Sequence, residues 1–278
     1  MKVVYLGSDV FLPCFEYFLK NHEVLALYTY HNNEDYFSEY EIKSVAEQNN
    51  ISVYYDPISS EEITRLFKEE GCELLFSAEY NRILPIPDDL SEFRGINIHN
   101  SLLPTGRSYY PIEAGMEREI SCTGVTFHIL EATVDSGAIL SQRQIPITPA
   151  MDSIDIYLSC AEHAVKMLEE IMSDFDAFWS GAKKQSVKPA CWKRPDERKL
   201  TLCHETSCSE AIDIFRRYNS LTQVFINGKW YYVTGMTASE HRIKNDRFVS
   251  PILVLYPVQD GHLRLQLRPK DAAEESND

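Results

Sequence analysis

The chain has 278 residues, of which 44% are hydrophobic, and this is enough for one large domain and one small domain. Its net charge of −15 argues against a nucleic-acid partner, because affinity for a polyanion comes largely from basic side chains that neutralise phosphates. No apolar run is long enough for a membrane span, and seven dispersed cysteines predict reduced thiols, so we expect a cytoplasmic protein.

Short β-rich runs alternate with helical patterns through the first 185 residues. Strands that alternate with helices at this spacing indicate an α/β fold with a doubly wound, mostly parallel, Rossmann-like sheet. We predict one large domain over 1–185, with strands at 2–6, 23–30, 51–55, 73–77, 95–99, 123–130 and 138–147 and helices at 9–20, 39–49, 59–70 and 152–179.

The composition changes near residue 181, where a polar, lysine-containing stretch over 181–188 predicts a linker. Beyond it, Asn227-Gly228 is a strong signal for a hairpin turn. We predict a small β-rich, barrel-like domain over 186–269, more basic than the rest, and a disordered acidic tail over 270–278. Its predicted elements are a helix at 207–218, capped by Ser207 or Ser209, and strands at Gln223–Ile226, Trp230–Val233, Ile252–Tyr256 and Leu263–Leu267.

Two segments carry polar residues that suggest chemistry. Asn97, His99 and Ser101 alternate with apolar residues at the end of a predicted strand, so their side chains share one face. In parallel sheets, ligands bind beyond such strand ends. The second segment is a turn between two strands that contains Asp135, and an acid near His99 would orient the imidazole and stabilise its charged form.

These segments resemble the folate-dependent formyltransferase family, which carries Asn-x-His-x-Ser-Leu-Leu-Pro and then, at a set distance, an Asp-x-Gly-x-Ile turn. Here 36 positions separate His99 from Asp135. The resemblance is strong over residues 1–180 and looser over 186–269. It implies N10-formyltetrahydrofolate as co-substrate and Asn97, His99 and Asp135 as catalytic residues. The Asn97 amide would donate to the oxyanion that forms on the formyl group, and His99 would donate to it or relay the amine proton.

The same resemblance implies binding residues on both sides of the reacting carbon. For the folate they are Arg82, Ile83, Leu84, Pro85, Leu130, Glu131 and Val134. For the acceptor they are Ser8, Ser101, Arg107, Tyr109, Tyr110 and Glu162.

One run departs from the family pattern and bears on the acceptor. Many relatives follow Leu-Leu-Pro with Arg-Gly and then Pro, whereas this chain has Thr105-Gly106-Arg107-Ser108-Tyr109-Tyr110-Pro111. The acidic first 185 residues and the chain length favour a small acceptor, the amine of a nucleotide-linked amino-deoxy sugar. Within that branch the chain resembles enzymes of the pseudaminic acid pathway, with UDP-4-amino-4,6-dideoxy-L-AltNAc as candidate acceptor, and a homodimer is compatible with the resemblance.

Three alternatives stay open. The basic second domain keeps methionyl-tRNA formyltransferase as the first of them. A formyltetrahydrofolate hydrolase would use the same Asn, His and Asp with water as acceptor. A folate-binding regulatory module would retain the site without turnover.

Other candidate features are weak. Cys191, Cys203, His204 and Cys208 have spacings that suit tetrahedral zinc poorly, so we expect no metal. The glycines form neither Gly-x-Gly-x-x-Gly nor a P-loop, and nothing supports binding of NAD or ATP. His128, on an apolar strand, is interpreted as a core histidine.

Overall fold

The computed structural model describes residues 1–31, 38–87, 89–107, 109–185, 191–193 and 195–270. They form two compact units. The larger unit comprises the described residues of Met1–Pro149 and Asp155–Lys193, and the smaller one those of Ala150–Ile154 and 195–270. The predicted domain boundary at 185/186 stays a prediction. The predicted tail lies outside the described residues except for Lys270, as do Ser108, Arg194 and residues 186–188 of the predicted linker.

The larger unit is built on one seven-stranded sheet. Its strands are β1 (Lys2–Gly7), β2 (Glu23–Tyr28), β3 (Ser52–Tyr54), β4 (Leu74–Ala78), β5 (Gly95–His99), β6 (Cys122–Ile129) and β7 (Ile139–Pro146). Its helices are α1 (Leu12–Asn21), α2 (Tyr40–Gln48), α3 (Ser60–Lys68), α4 (Pro111–Glu117), α5 (Ser153–Ser173) and α6 (Phe175–Ser180).

The strand order is β3-β2-β1-β4-β5-β6-β7. The first five strands are parallel, whereas β6 runs antiparallel to β5 and β7 antiparallel to β6. The prediction of an α/β fold with a mostly parallel sheet is therefore confirmed. The strand order reverses between β1 and β4, and open α/β sheets bind ligands beyond the carboxyl ends of strands near such a reversal.

The centre of the sheet is apolar because its strands are covered on both faces. In β1, Val3 to Leu6 are fully buried, which is typical of a parallel strand. The ring of Tyr5 packs against Phe15, Phe18 and Phe76, with centroid separations of 5.1, 6.2 and 5.5 Å. These aromatic contacts join α1 and β4 to β1 in one core.

Local sequence signals account for most element ends. Ser59 caps α3, its Oγ accepting a hydrogen bond from the N–H of Glu62 at 3.1 Å. The prediction of a single helix over 152–179 is wrong. The helix ends at Ser173, and Asp174, at φ −149° and ψ 61°, leaves the helical conformation before α6 begins. The apolar spacing continues across this break, and for that reason periodicity alone did not reveal it.

The described residues of the smaller unit form a six-stranded sheet, two α-helices and a short 3-10 helix at Asn219–Leu221. The predicted helix begins after Ser207, whose Oγ accepts from the N–H of Glu210 at 3.2 Å. Asn227 and Gly228 both have positive φ, 51° and 79°, as the predicted hairpin turn requires. The elements are α7 (Glu197–Leu200), β8 (Thr201–Leu202), α8 (Cys208–Tyr218), β9 (Gln223–Ile226), β10 (Lys229–Ser239), β11 (Arg247–Ser250), β12 (Leu253–Val258) and β13 (Gly261–Pro269).

The order of this second sheet is β11-β12-β13-β10-β9-β8. A β-rich second region is therefore confirmed, but among the described residues the sheet has edges at β11 and β8, and the barrel-like closure is not observed. The strand β11 was not predicted, because Arg247–Ser250 is too short and too polar in its surroundings to produce an alternating pattern. No helix in the described part of the chain is long and apolar enough to cross a membrane.

Candidate active site

The ends of β5 and β6 bring two polar side chains together. The antiparallel register places Asn97 directly opposite His128. The Nδ2 of Asn97 lies 3.1 Å from Nε2 of His128. Directly opposed residues of an antiparallel pair have adjacent side chains, so this contact follows from the register itself. His128 is buried, as predicted for a core histidine, but its ring also contacts Asn97 of the predicted site.

The turn between β6 and β7 carries Asp135 to the same place. A β-bulge shifts the register where Phe127 pairs with Ser141 and His128 with Ile139, which leaves Leu140 as the extra residue. The loop is closed at its base by the N–H of Ile129 and the carbonyl of Ala138, 2.9 Å apart. Within it Asp135 has φ 52°, a left-handed conformation that Asp tolerates better than most residues.

Gly137 makes this tight turn possible. A Cβ at this position would lie 1.8 Å from the carbonyl oxygen of Ile129, so no other residue fits without displacement of the backbone. The Asp-x-Gly spacing therefore has a physical reason in this chain: Asp135 adopts the left-handed backbone and Gly137 allows the chain to return against β6.

Asp135 faces both histidines. Its Oδ1 lies 3.7 Å from Nδ1 of His99 and 3.7 Å from Nε2 of His128. The Nε2 of His99 is 2.9 Å from the carbonyl oxygen of Gly106. Because a carbonyl oxygen only accepts, Nε2 of His99 carries a proton, and Nδ1, on the side of Asp135, is the nitrogen that can gain or lose one.

His128 is neutral for a clear electrostatic reason. Complete burial lowers the pKa of His128 to about 4, an effect that Asp135 opposes and the nearby His99 reinforces. Its Nδ1 donates to the carbonyl oxygen of Ile129 at 3.0 Å, so in the neutral ring Nε2 accepts a hydrogen bond from the Asn97 amide. This bond identifies which end of the Asn97 side chain is NH2 and leaves its second N–H available as a donor.

Gln185 is a further residue at the site, and the sequence prediction placed it in a linker. Its Nε2 donates to the carbonyl oxygens of Asp135 at 2.9 Å and of Gly137 at 2.8 Å. Its Oε1 accepts a hydrogen bond from the guanidinium of Arg107. No local signal marks this glutamine, because it lies about 50 residues beyond the turn and in a polar stretch.

The residues predicted to hold the folate have two kinds of environment. Leu84 is buried in an apolar cluster of the larger unit, and Leu130 packs against the same cluster. Ile83 and Val134 are 76% and 53% exposed, and Val134 directly precedes Asp135. Arg82, Pro85 and Glu131 are also exposed.

The residues predicted to bind the acceptor are more dispersed. Tyr109 is 61% exposed and its hydroxyl donates to the carbonyl oxygen of Asn81, next to the predicted folate segment, whereas Tyr110 is 8% exposed at the start of α4. Ser101 donates to the carbonyl oxygen of Thr105 at 2.7 Å.

The other three differ widely in burial. Ser8 is almost completely buried, and its Oγ has no hydrogen-bond partner among the described residues. Arg107 is also buried, with its guanidinium on Gln185. Glu162 is exposed on α5. The predicted roles of all these binding residues stay predictions.

Within the part of the chain that the structure describes, no group of three or more His, Cys, Asp or Glu side chains is arranged to hold a metal ion. Cys191, Cys203 and Cys208 have free thiols.

Comparison with known proteins identifies formyltransferases as relatives of this chain. A family model described as formyl transferase matches residues 30–172, about half of the chain. A methionyl-tRNA formyltransferase of Treponema denticola is 32% identical over 121 residues, which cover 43% of this chain and 38% of that protein. The chain thus spans about two fifths of the length of that relative.

Two solved structures have the same fold at low sequence identity. An N-formyltransferase from Helicobacter canadensis, in complex with folinic acid and dTDP-3-aminofucose, has a TM-score of 0.58 at 20% identity, over 96% of this chain and 99% of that one. HypX from Aquifex aeolicus, in complex with tetrahydrofolic acid, has a TM-score of 0.70 at 15% identity, over 98% of this chain and 44% of that one. The match over residues 30–172 includes Asn97, His99, His128 and Asp135, and this chain belongs to the formyl transferase family.

Proposed function

We propose that this protein transfers the formyl group of N10-formyltetrahydrofolate to the amine of a nucleotide-linked amino-deoxy sugar. The observation that supports the reaction is the cluster of Asn97, His99, His128 and Asp135, in which one carboxylate lies 3.7 Å from two imidazoles and one amide is oriented by a neutral histidine. Such a cluster combines an oriented donor with groups that can exchange protons.

The transfer requires three events. A neutral amine forms a bond to the formyl carbon, the carbonyl oxygen becomes an oxyanion, and the bond from that carbon to N10 of the folate then breaks. The N–H of Asn97 that His128 does not use would donate to the oxyanion, a role that typically contributes about 10²- to 10³-fold in rate. The orientation of this amide matters because its carbonyl oxygen, turned towards the oxyanion in place of the NH2 group, would repel the developing charge.

Protons must also move from the amine to N10. The Nδ1 of His99 is the unprotonated nitrogen of the neutral ring, so it can accept the amine proton directly or through water. Asp135 then faces a charged imidazolium at 3.7 Å and stabilises it. The same proton can pass to N10 as the leaving group departs, which returns His99 to its starting state.

The folate would be held by exposed apolar side chains of the two segments that the family resemblance assigns to it. Ile83 and Val134 are exposed to solvent, and a planar pterin ring that covered them would remove apolar surface from water. Leu84 is buried in an apolar cluster against which Leu130 packs, and these contacts would hold the backbone of both segments in place. No further chemistry from a metal is part of this proposal.

Two observations bear on the acceptor. The Helicobacter canadensis protein of the same fold was crystallised with dTDP-3-aminofucose, and the acidity of residues 1–185 disfavours a polyanion. The sequence relative from Treponema denticola is a methionyl-tRNA formyltransferase, so methionyl-tRNA is the second candidate acceptor. UDP-4-amino-4,6-dideoxy-L-AltNAc is the sugar nucleotide that we propose to test first.

The test is incubation of the full chain with N10-formyltetrahydrofolate and, separately, UDP- and dTDP-amino sugars, methionyl-tRNA, or no acceptor. A sugar nucleotide heavier by one formyl group supports the proposal, and Asn97→Ala is the matched inactive control. Formylation of methionyl-tRNA alone would establish the second candidate, and release of formate without any acceptor would identify a hydrolase. Folate binding without turnover on any acceptor would refute the enzymatic proposal.

We also propose that residues 1–185 form the catalytic domain, because every residue named in the mechanism lies within them. A homodimer in the cytoplasm remains part of the proposal. Light scattering of the purified chain would measure its oligomeric state, and fractionation of cells would measure its location.

A further inference from the structure

We propose that Gln185 is a positioning residue that holds the Asp135 turn in the geometry needed for proton transfer. The inference rests on the proposed function, since it assigns to Gln185 an effect on the rate of that reaction. Gln185 itself touches no reacting atom in the mechanism above. It acts through the backbone of Asp135 and Gly137.

The position of Gln185 follows from strand pairing. Lys183 pairs with Ile139 at the start of β7, with N–H to oxygen distances of 2.8 and 2.9 Å in the two directions. The pairing is antiparallel, so the residue two positions after Lys183 lies opposite the residue two positions before Ile139. Gln185 is therefore placed opposite Gly137, at the turn.

The two acceptors are the carbonyl oxygens of Asp135 and Gly137, which lie on either side of Ser136 in the turn. The orientation of the Asp135 carbonyl sets ψ of Asp135, and that of the Gly137 carbonyl sets where the chain rejoins β7. A single NH2 group bonded to both fixes the intervening peptide units relative to each other. Asp135 has φ 52°, which is less favourable than extended or helical backbone, so the turn needs such external support to persist.

The consequence for the side chain of Asp135 is a defined distance to two histidines. Its Oδ1 is 3.7 Å from both His99 and His128, beyond hydrogen-bond length, and it depends on the backbone rather than on a direct bond to either ring. A turn released from Gln185 would let the carboxylate drift. Displacements of about 1 Å at a site for proton transfer cost about 10²-fold in rate.

Gln185 also has a second partner, and the two roles can be separated. Its Oε1 accepts from the buried guanidinium of Arg107. In Gln185→Glu the carboxylate keeps the acceptor for Arg107 but loses both N–H donors and presents oxygen to two carbonyls. In Gln185→Leu both roles are lost while the volume stays similar. Lys184→Leu changes an exposed neighbour and is the matched control.

The first measurement is the release of tetrahydrofolate from N10-formyltetrahydrofolate, with whichever acceptor the protein uses. We expect kcat to fall about 10- to 100-fold in Gln185→Leu and Gln185→Glu alike, with KM for folate and acceptor within about threefold of the wild type. Lys184→Leu should match the wild type. A Gln185→Glu variant with full activity would mean that only the Arg107 contact matters, and it would overturn the proposal.

The second measurement does not depend on turnover. NMR of histidine labelled with ¹⁵N reports the ring signals of His99 and His128, and we expect both to shift in Gln185→Glu and Gln185→Leu but not in Lys184→Leu. If the wild type formylates no acceptor, the proposed function fails, whereas unchanged histidine signals in both Gln185 variants refute this inference independently. If either variant does not fold, Gln185→Asn takes its place. Its side chain is one methylene shorter, so the amide should no longer reach both carbonyls and kcat should fall. Full activity of Gln185→Asn would also refute the inference.

Discussion

The charge state of His128 can be tested by its effect on stability. In the folded protein burial lowers the pKa of His128 to about 4 from its ordinary value of 6.5. The unfolded chain therefore binds a proton at this residue at pH values where the folded chain does not. We expect the resulting stability to be fully present above pH 6.5 and to be lost as the pH falls from 6.5 towards 4.

The size of this effect follows from the difference between the two pKa values. A separation of about 2.5 pKa units corresponds to about 3 kcal/mol when both states are fully titrated. Between pH 8 and pH 4.5 the folded protein should lose about 2–3 kcal/mol of its free energy of unfolding through His128. In His128→Gln this contribution is absent, while the side chain can still accept from Asn97 and donate to Ile129.

The assay is urea unfolding of the wild type and of His128→Gln at pH 8 and pH 4.5, followed by circular dichroism. Titrating groups distant from His128 contribute equally in the two proteins and cancel in the difference of differences, which therefore reports His128 together with its neighbours Asp135 and His99. We expect the wild type to lose about 2–3 kcal/mol more than the variant. Equal losses in both proteins would refute the assignment of a neutral, buried His128 and the orientation of Asn97 that depends on it.

Three further outcomes are expected. Asn97→Ala should lower kcat about 10²- to 10³-fold with an unchanged circular dichroism spectrum, and a folded variant with near-normal turnover would exclude the oxyanion role. Asp135→Asn keeps a residue that tolerates positive φ but removes the charge 3.7 Å from both imidazoles. The pKa of His128 should therefore fall below about 4, and kcat should drop. An unchanged rate would show that the charge is not needed. Gly137→Ala would place Cβ 1.8 Å from the oxygen of Ile129, so thermal unfolding should detect a loss of about 1–3 kcal/mol or more, and no loss would mean that the turn relaxes freely.

Much of the secondary structure of both units was predictable because its signals are local. Strand β1, the cap at Ser59 and the turn at Asn227-Gly228 each depend on residues within a few positions of one another. The break at Asp174 and the strand β11 were missed for the opposite reason. A helix break without Pro or Gly and a short polar edge strand are decided by what packs against them, and periodicity does not record that.

The site shows the same division. Alternation alone placed Asn97 and His99 on one face of a strand, and their resemblance to a family motif indicated Asp135. His128 and Gln185 were not predicted to contact them. His128 reaches Asn97 through strand register, and Gln185 reaches the turn through its pairing beside Ile139. Neither contact has a signature in the residues next to it.

The sequence by itself therefore determined most types of element and the polar face of β5, because these depend on side-chain periodicity over short distances. Only the tertiary structure decided which groups meet at Asp135. Asp135 lies 36 positions from His99, 7 from His128 and 50 from Gln185, and no local pattern indicates that all four meet. Strand pairing brings these residues together, and burial in the folded chain keeps His128 neutral. Both arise only when the chain folds, so no short stretch of sequence indicates them.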